Sequence, residues 1–409
     1  MTTRMRWRWI VVLVGVVAAG AAAGPVYRWW QTSRRTQLFT QCRTALEEGR
    51  WSDLQTLAAP WSQWDPQNAD PWLYLAAAAQ ARDELDLAAE CLSRIPDDSP
   101  KVIPALLELL ALQFGPLNRP REGAATCERA VRIEPRTTEA HNRLIQYFAL
   151  SRQRARLARQ IRESIRYRRE PREAYVYLML LDTLRLSNGI AMNERWLEAV
   201  PEDETFLVGR AMNLPEPTEP VAGEPAASAS AGSVPADGVS RAAEGRTKLE
   251  MIDQLYERFP DNLELLAYKI DQCITIGDAE GVAELQLSAP DAAADDSRFW
   301  RFKGWLHESR DEIPEAHAAY LRALELHPLD WNTLNRLSQV ERRRQNVKEV
   351  ERLTALVEQA TRIRRNLRNL PAAEMVTPDI LADLAVYAQD CGDQQVAEAL
   401  EWRLRSWRK

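Results

Sequence analysis

The sequence predicts an all-α protein built as an array of helix pairs. One sparse pattern of large and small residues returns along the chain at a spacing of about 34 residues. Helix formers such as Ala, Leu, Glu and Arg dominate, and glycine is scarce, at 16 of 409 residues. Alternating runs of Val, Ile and Thr, which would indicate strands, are absent. A fixed period of this length is typical of a solenoid, in which each unit buries its apolar face only against its neighbours.

The composition also limits the classes of function. The chain is 45% hydrophobic and 27% charged, with a formal net charge of −6, so nucleic acid is not predicted as the main partner. Its cysteines are odd in number and widely spaced, which favours neither a disulfide framework nor a zinc site. We expect them to be small packing residues on helix faces. They are Cys42, Cys91, Cys127, Cys273 and Cys391.

No pattern for catalysis is present in the sequence. The four histidines have no clustered partner, and there is no Gly-rich phosphate loop, nucleophile elbow or pair of metal ligands. We therefore predict that the protein is not an enzyme, and we assign no catalytic, cofactor-binding or metal-binding residues.

The N-terminal residues predict a membrane segment. Residues 1–9 form a basic tail, and residues 10–27 carry no charge. As a helix this uncharged stretch rises about 27 Å, close to the thickness of the hydrocarbon core of a bilayer. Tryptophans flank both ends, where indole rings prefer the membrane interface. We therefore expect a transmembrane signal-anchor over residues 10–30.

Two properties of this segment stay open. The small residues 21–23 also fit the cleavage site of a secretory signal peptide, which would release a soluble exported protein. Arginines flank the segment on both sides in nearly equal number, so charge hardly fixes its orientation. A short basic tail ahead of a first apolar segment favours export of the rest. The predicted location is a single-pass membrane protein with most of the chain exported.

From residue 36 onward the repeated units follow one another. The residues at corresponding positions are Trp72, Ala76, Ala88 and Pro100 in one unit, Trp300, Gly304, Ala316, Tyr320, Ala323 and Pro328 in a second, and Leu381, Leu384, Ala385 and Ala388 in a third, while Pro135 ends another. Small residues let two helices approach closely, and the aromatic residues fill space against the next pair. The prolines end each unit because they cannot continue a helix.

This pattern resembles the tetratricopeptide repeat family over most of residues 36–409, with about eight or nine units. It departs from the family where Lys269 and Lys303 replace apolar residues and Cys127 replaces an aromatic one. The resemblance implies a right-handed α-solenoid of helix pairs, here preceded by the single transmembrane helix. It also implies a function in protein–protein interaction, as a scaffold or tether at a membrane.

The resemblance further implies which residues meet a partner. In the family, the first helix of each pair lines a concave groove that binds peptides. The matching positions are Leu73, Ala77, Glu108, Leu112, Val176, Leu180, Arg301 and Trp305. The N-terminal half of this set is mostly apolar, which favours an apolar or helical peptide as the ligand. The alternative is that these side chains pack against neighbouring helices.

Residues 214–245 interrupt the array. They contain five prolines and no aromatic residue, a composition that predicts disorder. The repeats are thereby divided into residues 36–213 and 246–409. Helical patterns on both sides leave open whether the segment is a loop inside one repeat or a linker between two domains.

The densest basic stretch runs from Arg152 to Arg172, with nine arginines against two glutamates. One interpretation is an anionic partner, such as an acidic protein, lipid headgroups or nucleic acid. The other is an exposed helix face in contact with solvent.

Overall fold

The structure is a computed structural model that describes residues 29–215 and 237–407, except for the side chains of residues 237–247 and 407. Within these ranges every regular element is helical, which confirms the prediction of an all-α protein. The α-helices are α1 (29–47), α2 (Trp51–Trp64), α3 (Ala69–Ala81), α4 (Leu85–Ser93), α5 (Val102–Phe114), α6 (Pro120–Ile133), α7 (Thr138–Leu150), α8 (Arg154–Arg166), α9 (Glu173–Met179), α10 (Gly189–Ala199), α11 (Glu204–Asn213), α12 (Asp237–Arg258), α13 (Leu263–Ile276), α14 (Ala279–Leu287), α15 (Ser297–Ser309), α16 (Ile313–Leu326), α17 (Trp331–Arg343), α18 (Val347–Arg368), α19 (Pro378–Asp390) and α20 (Gln394–Trp407).

The chain divides into two compact units, residues 1–117 and residues 118–409. In the first unit, α2 packs on α3, α3 on α4 and α4 on α5. In the second unit, the most extensive contacts join α15 to α16, α17 to α18 and α19 to α20. Consecutive helices are therefore the basic packing element in both units.

The period of the sequence is present in the backbone. The turn inside several helix pairs contains one residue with a left-handed backbone, as at Gly49, Asp83, Gly277, Asp311 and Gln345. The intervals from 49 to 83, from 277 to 311 and from 311 to 345 are each 34 residues. Residues other than glycine adopt this backbone conformation at a cost of about 1 kcal/mol. The same turn geometry is thus kept even where the residue does not favour it.

Side chains at the start of three helix pairs make the same hydrogen bond. Each ring N–H donates to the backbone carbonyl oxygen six residues earlier. The bond joins the first helix of the pair to the turn that precedes it. The bonds join Trp72 Nε1 to Pro66 O at 3.0 Å, His141 Nε2 to Pro135 O at 2.9 Å and Trp300 Nε1 to Ala294 O at 2.9 Å. A carbonyl oxygen can only accept, so His141 carries its proton on Nε2.

The structure places most of the repeat residues in the core. Trp72, Ala76, Ala88, Ala316, Tyr320 and Ala323 are buried, while Trp300 is half-buried. Pro100, Pro135 and Pro328 lie in the turns that precede α5, α7 and α17. Gly304 makes the closest approach, because a Cβ atom added there would lie 2.5 Å from Cε1 of Tyr320. Only glycine lets α15 and α16 approach so closely.

The C-terminal helix pair of the second unit also packs against a distant part of that unit. Helix α20 contacts α8, although 231 residues separate the pair Arg162 and Asp393. Arg162 donates to both carboxylate oxygens of Asp393, at 3.2 and 2.8 Å, and Gln395 Nε2 donates to the backbone oxygen of Arg162 at 2.8 Å. An array whose units contact only their neighbours would not make these bonds.

A second set of contacts extends this closure to the start of α9. Glu170 has a fully buried side chain and accepts hydrogen bonds from Arg403 Nη2 at 2.9 Å and from the hydroxyl of Tyr175 at 2.9 Å. The guanidinium of Arg168 stacks on the Trp402 ring, 5.0 Å from its centroid. The last helix is therefore held by ion pairs and ring contacts along its length.

The prediction of a single-pass membrane protein is wrong. Among the described residues no helix is long and apolar enough to span a bilayer. Of the predicted anchor, residues 10–30, only Trp29 and Trp30 are described, and they begin a helix that soon carries Arg34 and Arg35. Both tryptophans are exposed. The basic tail at residues 1–9 lies outside the described residues.

Most of the predicted disordered segment, residues 216–236, also lies outside the described residues. Helix α12 begins at Asp237, inside the range predicted to be disordered. Helices α11 and α12 pack together, and Nζ of the buried Lys248 donates to Leu214 O at 3.0 Å. This contact joins the residues that flank the segment.

Replacing Gly304 with Ala should destabilise the protein by about 1–3 kcal/mol, because the added methyl overlaps the Tyr320 ring. Urea unfolding measures the change. The double variant Gly304→Ala, Tyr320→Leu also removes the ring. Its loss of unfolding free energy should be smaller than the sum of the losses in the two single variants. An additive result would mean that the ring is not what excludes the methyl.

Replacing Arg403 with Ala should cost about 3 kcal/mol, because it leaves the buried Glu170 carboxylate without its cation. Hydrogen exchange should become faster in α20 and α8 together, since the contact joins them. Arg405→Ala on the same helix is the matched control, because Arg405 is largely exposed. Equal losses of protection from hydrogen exchange in the two variants would show that the Arg403–Glu170 contact does not hold α20 in place.

Candidate binding site

The second unit contains a chain of side chains with alternating charge, all of them buried except the half-buried Asp182. Its members come from the start of α8, the turn after α9, the start of α13, the first two turns of α15 and the N-terminus of α17. In order of contact they are Asp296, Arg298, Glu264, Arg154, Asp182, Arg301 and Asp330. Each arginine lies between two carboxylates.

Arg298 forms the most complete part of this chain and is 3% exposed. Its Nη1 and Nη2 atoms donate to the two carboxylate oxygens of Glu264, both at 2.9 Å, while its Nη2 also contacts Asp296 at 2.7 Å. Asp296 in turn caps α15, since it accepts from the backbone N–H of Arg298 at 3.0 Å. Helix capping and ion pairing thus use the same carboxylate.

Arg301 lies one turn later and joins two further elements. Its Nη1 contacts Asp182 at 2.8 Å and Asp330 at 2.7 Å. Asp330 also caps α17, accepting from the backbone N–H of Asn332 at 3.0 Å. Arg154 completes the chain, with its Nε 3.3 Å from Glu264 and its Nη1 3.5 Å from Asp182. The start of α17 is therefore fixed relative to α15.

The pKa values of the chain favour its charged state. Burial by itself raises the pKa of Asp182, but the guanidinium groups of Arg301 and Arg154 outweigh it and lower the pKa. Burial is outweighed in the same way at Asp296, where Arg298 lowers the pKa. Burial lowers the pKa of Arg301, yet Asp182 and Asp330 raise it above its ordinary value.

A cavity of about 290 Å³ lies beside this chain of charges. It is lined by Asp271, Ile274, Arg301, Phe302, Trp305, Asn332, Asn335, Arg336 and Gln339. These residues belong to the first helices of three consecutive pairs, α13, α15 and α17. We call it the amide cavity, because three of its four residues from α17 are Asn or Gln.

The residues from α17 face the amide cavity because of their spacing. Asn332, Asn335, Arg336 and Gln339 are separated by three, one and three positions, which places them on one face of a helix. All four are half-buried, while Leu334 and Leu337 on the other side of α17 are buried. The arrangement presents amide donors and acceptors to whatever enters the cavity.

The predicted groove residues fall into three groups. Arg301 and Trp305 lie together in the amide cavity, where Arg301 is engaged by two carboxylates. Val176 on α9, Leu180 directly after α9 and Leu112 on α5 are buried, in agreement with the alternative that such side chains pack within the protein. The others are more accessible on α3 and α5: Leu73 and Ala77 are half-buried and Glu108 is exposed.

Sequence reasoning missed Asp271 and the amide residues of α17. The four polar residues of α17 repeat at helical spacing, so their common face could be found from the sequence. Their relation to α13 could not, because it depends on packing.

Only part of the basic stretch from Arg152 to Arg172 is engaged inside the protein, because five of its nine arginines are exposed. Arg154 belongs to the buried chain of charges, and Arg162 is bound to Asp393. Arg156 contacts Glu128 at 2.8 Å and stacks on Phe148. Part of its positive charge is therefore already balanced by carboxylates and rings of the protein.

In the described part of the chain, no group of His, Cys, Asp and Glu residues has the arrangement needed to hold a metal ion. The described cysteines are free, and Cys42, Cys91 and Cys127 are buried. Burial raises the pKa of the Cys91 thiol to about 11.

Comparison with known proteins identifies neither a family nor a curated relative. No protein-family profile matches the sequence, and no curated protein matches it. Solved structures with similar helical arrangements do exist. A tetratricopeptide repeat protein from Parabacteroides merdae is 10% identical, with a TM-score of 0.26, over 76% of this chain and 99% of that one.

Two other solved structures give similar values. The human IFIT1 dimer with m7Gppp-AAAA is 11% identical, with a TM-score of 0.31, over 90% of this chain and 75% of that chain. Yeast Tom70 is 13% identical, with a TM-score of 0.26, over 90% and 76% of the respective chains. Superpositions this loose support no inference about partners, so the functional argument depends on the residues of this chain.

The free energy of unfolding should fall on acidification below about pH 4, where unfolded aspartates begin to bind protons. Asp182 and Asp296 have lowered pKa values in the folded state. Their contribution is therefore complete above the unfolded pKa and is lost as the pH falls toward the folded pKa. Urea unfolding between neutral pH and about pH 3 measures this.

The variant Asp182→Asn tests whether the ion-paired Asp182 causes part of this loss of stability in acid. It should lower the stability at neutral pH and reduce the acid-side slope, because one carboxylate with a lowered pKa has been removed. Asp390→Asn, at an exposed position on α19, is the control and should leave the slope unchanged. An Asp182→Asn variant with the wild-type slope would contradict the ion pairing.

Proposed function

We propose that this protein binds other proteins and acts as an interaction scaffold, and that the amide cavity receives an extended segment of a partner. The observation that carries the proposal is the polar face of α17. Asn332, Asn335 and Gln339 present both donors and acceptors, which match the alternating N–H and C=O groups of a peptide main chain. Trp305 adds an aromatic surface to the same cavity.

The surroundings of the cavity support this role. Arg301 is bound by Asp182 and Asp330, and Asp330 caps α17, so the amide-bearing helix is held in place before any ligand arrives. A prearranged site loses less conformational entropy on binding. The lining is mixed in polarity, with Ile274 and Phe302 beside the amides. It fits a main chain with one or two apolar side chains better than a purely apolar helix.

Site-specific photo-crosslinking in cells tests the proposal. A photoreactive residue at position 339 should capture a partner directly, whereas the same residue at the exposed position 389 on α19 should not. The captured protein is then purified, and its affinity for the full chain is measured by calorimetry.

The double variant Asn335→Ala, Trp305→Ala should weaken that affinity at least about tenfold, because it removes a main-chain contact and the aromatic surface. Gln389→Ala is the matched control and should bind like the wild type. Circular dichroism confirms that each variant is folded. Unchanged affinity in the folded double variant would exclude the amide cavity as the binding site.

A further inference from the structure

A second cavity of the second unit is lined by α8 and by the turn that follows α16. Its volume is about 310 Å³. Residues from one face of α8 form one wall, and the turn after α9, the N-terminus of α15 and the end of α16 form the others. We call it the histidine cavity, because His327 lines it directly after the last residue of α16.

The ring of His327 is buried without a partner at one of its nitrogens. The residue is 8% exposed, and its Nδ1 atom is buried and makes no hydrogen bond with any described residue. A neutral imidazole carries one N–H and can carry it on Nε2, but an imidazolium carries an N–H on both nitrogens. Protonation of His327 therefore places a donor at Nδ1, where the closed structure has no acceptor for it. A buried donor without an acceptor destabilises the structure that contains it.

The carboxylates that act on this imidazole already have arginine partners. Arg301 binds Asp182 and Asp330. Arg162 binds Asp393 through both Nη atoms, at 3.2 and 2.8 Å. Burial is the largest influence on the imidazole and lowers its pKa, and the three carboxylates oppose this without reversing it. The charged groups that line the cavity or act on the ring are Arg154, the exposed Arg159 and Arg162 on α8, Asp182 after α9, the exposed Asp295, Asp296 and Arg298 around the start of α15, Asp330 before α17 and Asp393 before α20.

The histidine cavity shares a wall with the contact that closes the second unit. Arg162 lines the cavity and also binds Asp393, which joins α8 to the start of α20. The hydroxyl of Tyr387 on α19 donates to Leu329 O at 3.2 Å, two residues after His327. The turn that carries His327 is therefore in contact with the C-terminal helix pair as well as with the cavity. A proton on the imidazole adds a third charge to the surroundings of the Arg162–Asp393 pair.

We infer that His327 makes the closure between α8 and α20 sensitive to pH. The neutral ring packs in the closed unit, and protonation opens the contact of Arg162 with Asp393, which gives Nδ1–H access to an acceptor. The inference does not depend on the proposed function, because the histidine cavity shares no lining residue with the amide cavity.

The direction of the pH effect follows from the lowered pKa in the closed form. An exposed imidazole has a pKa of about 6.5. The contribution of the neutral His327 to the closure is therefore complete above this value and is lost as the pH falls from it toward the pKa of the closed form. This window lies above the pH range in which the aspartates lose their charge.

Hydrogen exchange of the full-length chain at about pH 7.5 and about pH 5 tests the inference. After correction for intrinsic exchange rates, protection of α8 and α20 should fall at the lower pH by up to about thirtyfold. This is the limit for a group that has a pKa of about 6.5 in the open form and stays neutral in the closed form. An unchanged protection of these two helices in the wild type would overturn the inference.

The variant His327→Gln should lose this pH dependence, because its side chain stays neutral at both pH values. His317→Gln on α16 is the matched control and should keep it, since His317 is half-buried and its Nε2 lies 2.8 Å from Glu341. A folded His327→Gln variant with the pH dependence of the wild type would overturn the inference.

Two further measurements do not require a change at His327. The double variant Arg162→Gln, Asp393→Asn lacks the closing ion pair, so α20 should exchange rapidly at both pH values. A pH dependence of α20 as large as in the wild type would show that this contact is not what opens. Exchange of the imidazole C2 hydrogen in the wild type should give His327 a pKa below about 6.5. A value at or above this would also overturn the inference.

Discussion

The second unit depends on a chain of alternating charges that runs from Asp296 to Asp330. Removing three guanidinium groups and four carboxylates from water is costly, and the cost is offset only because every arginine lies between two acids. Such a chain has little tolerance for displacement, since a shift of one helix leaves a buried charge without its partner. The register of α8, α13, α15 and α17 is therefore fixed by electrostatics as well as by apolar packing.

The position of the amide cavity follows from this constraint. Arg301 belongs both to the chain of charges and to the cavity wall, so the wall is as rigid as the ion pairs behind it. Asp330 connects the same pairs to the first turn of α17. Asp271 and Trp305 stay accessible in front of this rigid wall.

The helices and their period could be predicted from the sequence because they depend on local spacing. Trp72 and Trp300 repeat at the same position of their units, and Gly304 marks a close helix contact. The pairs Asp182 with Arg301 and Arg162 with Asp393 could not be predicted, because 119 and 231 residues separate their members. The membrane anchor was predicted from a basic tail and an uncharged stretch flanked by tryptophans, and no described helix is long and apolar enough to span a bilayer. Local chemistry therefore defines the elements, whereas the site depends on contacts between distant elements.

The contact between α20 and α8 has a consequence for how this protein can change in evolution. Open arrays of repeats gain and lose units easily, because an added pair extends only one end. Here a lost or added pair between α9 and α19 would carry Asp393 away from Arg162 and Arg403 away from Glu170. The number of helix pairs in the second unit is thus fixed by a geometric closing condition. Changes in length are tolerated only where they leave that condition intact.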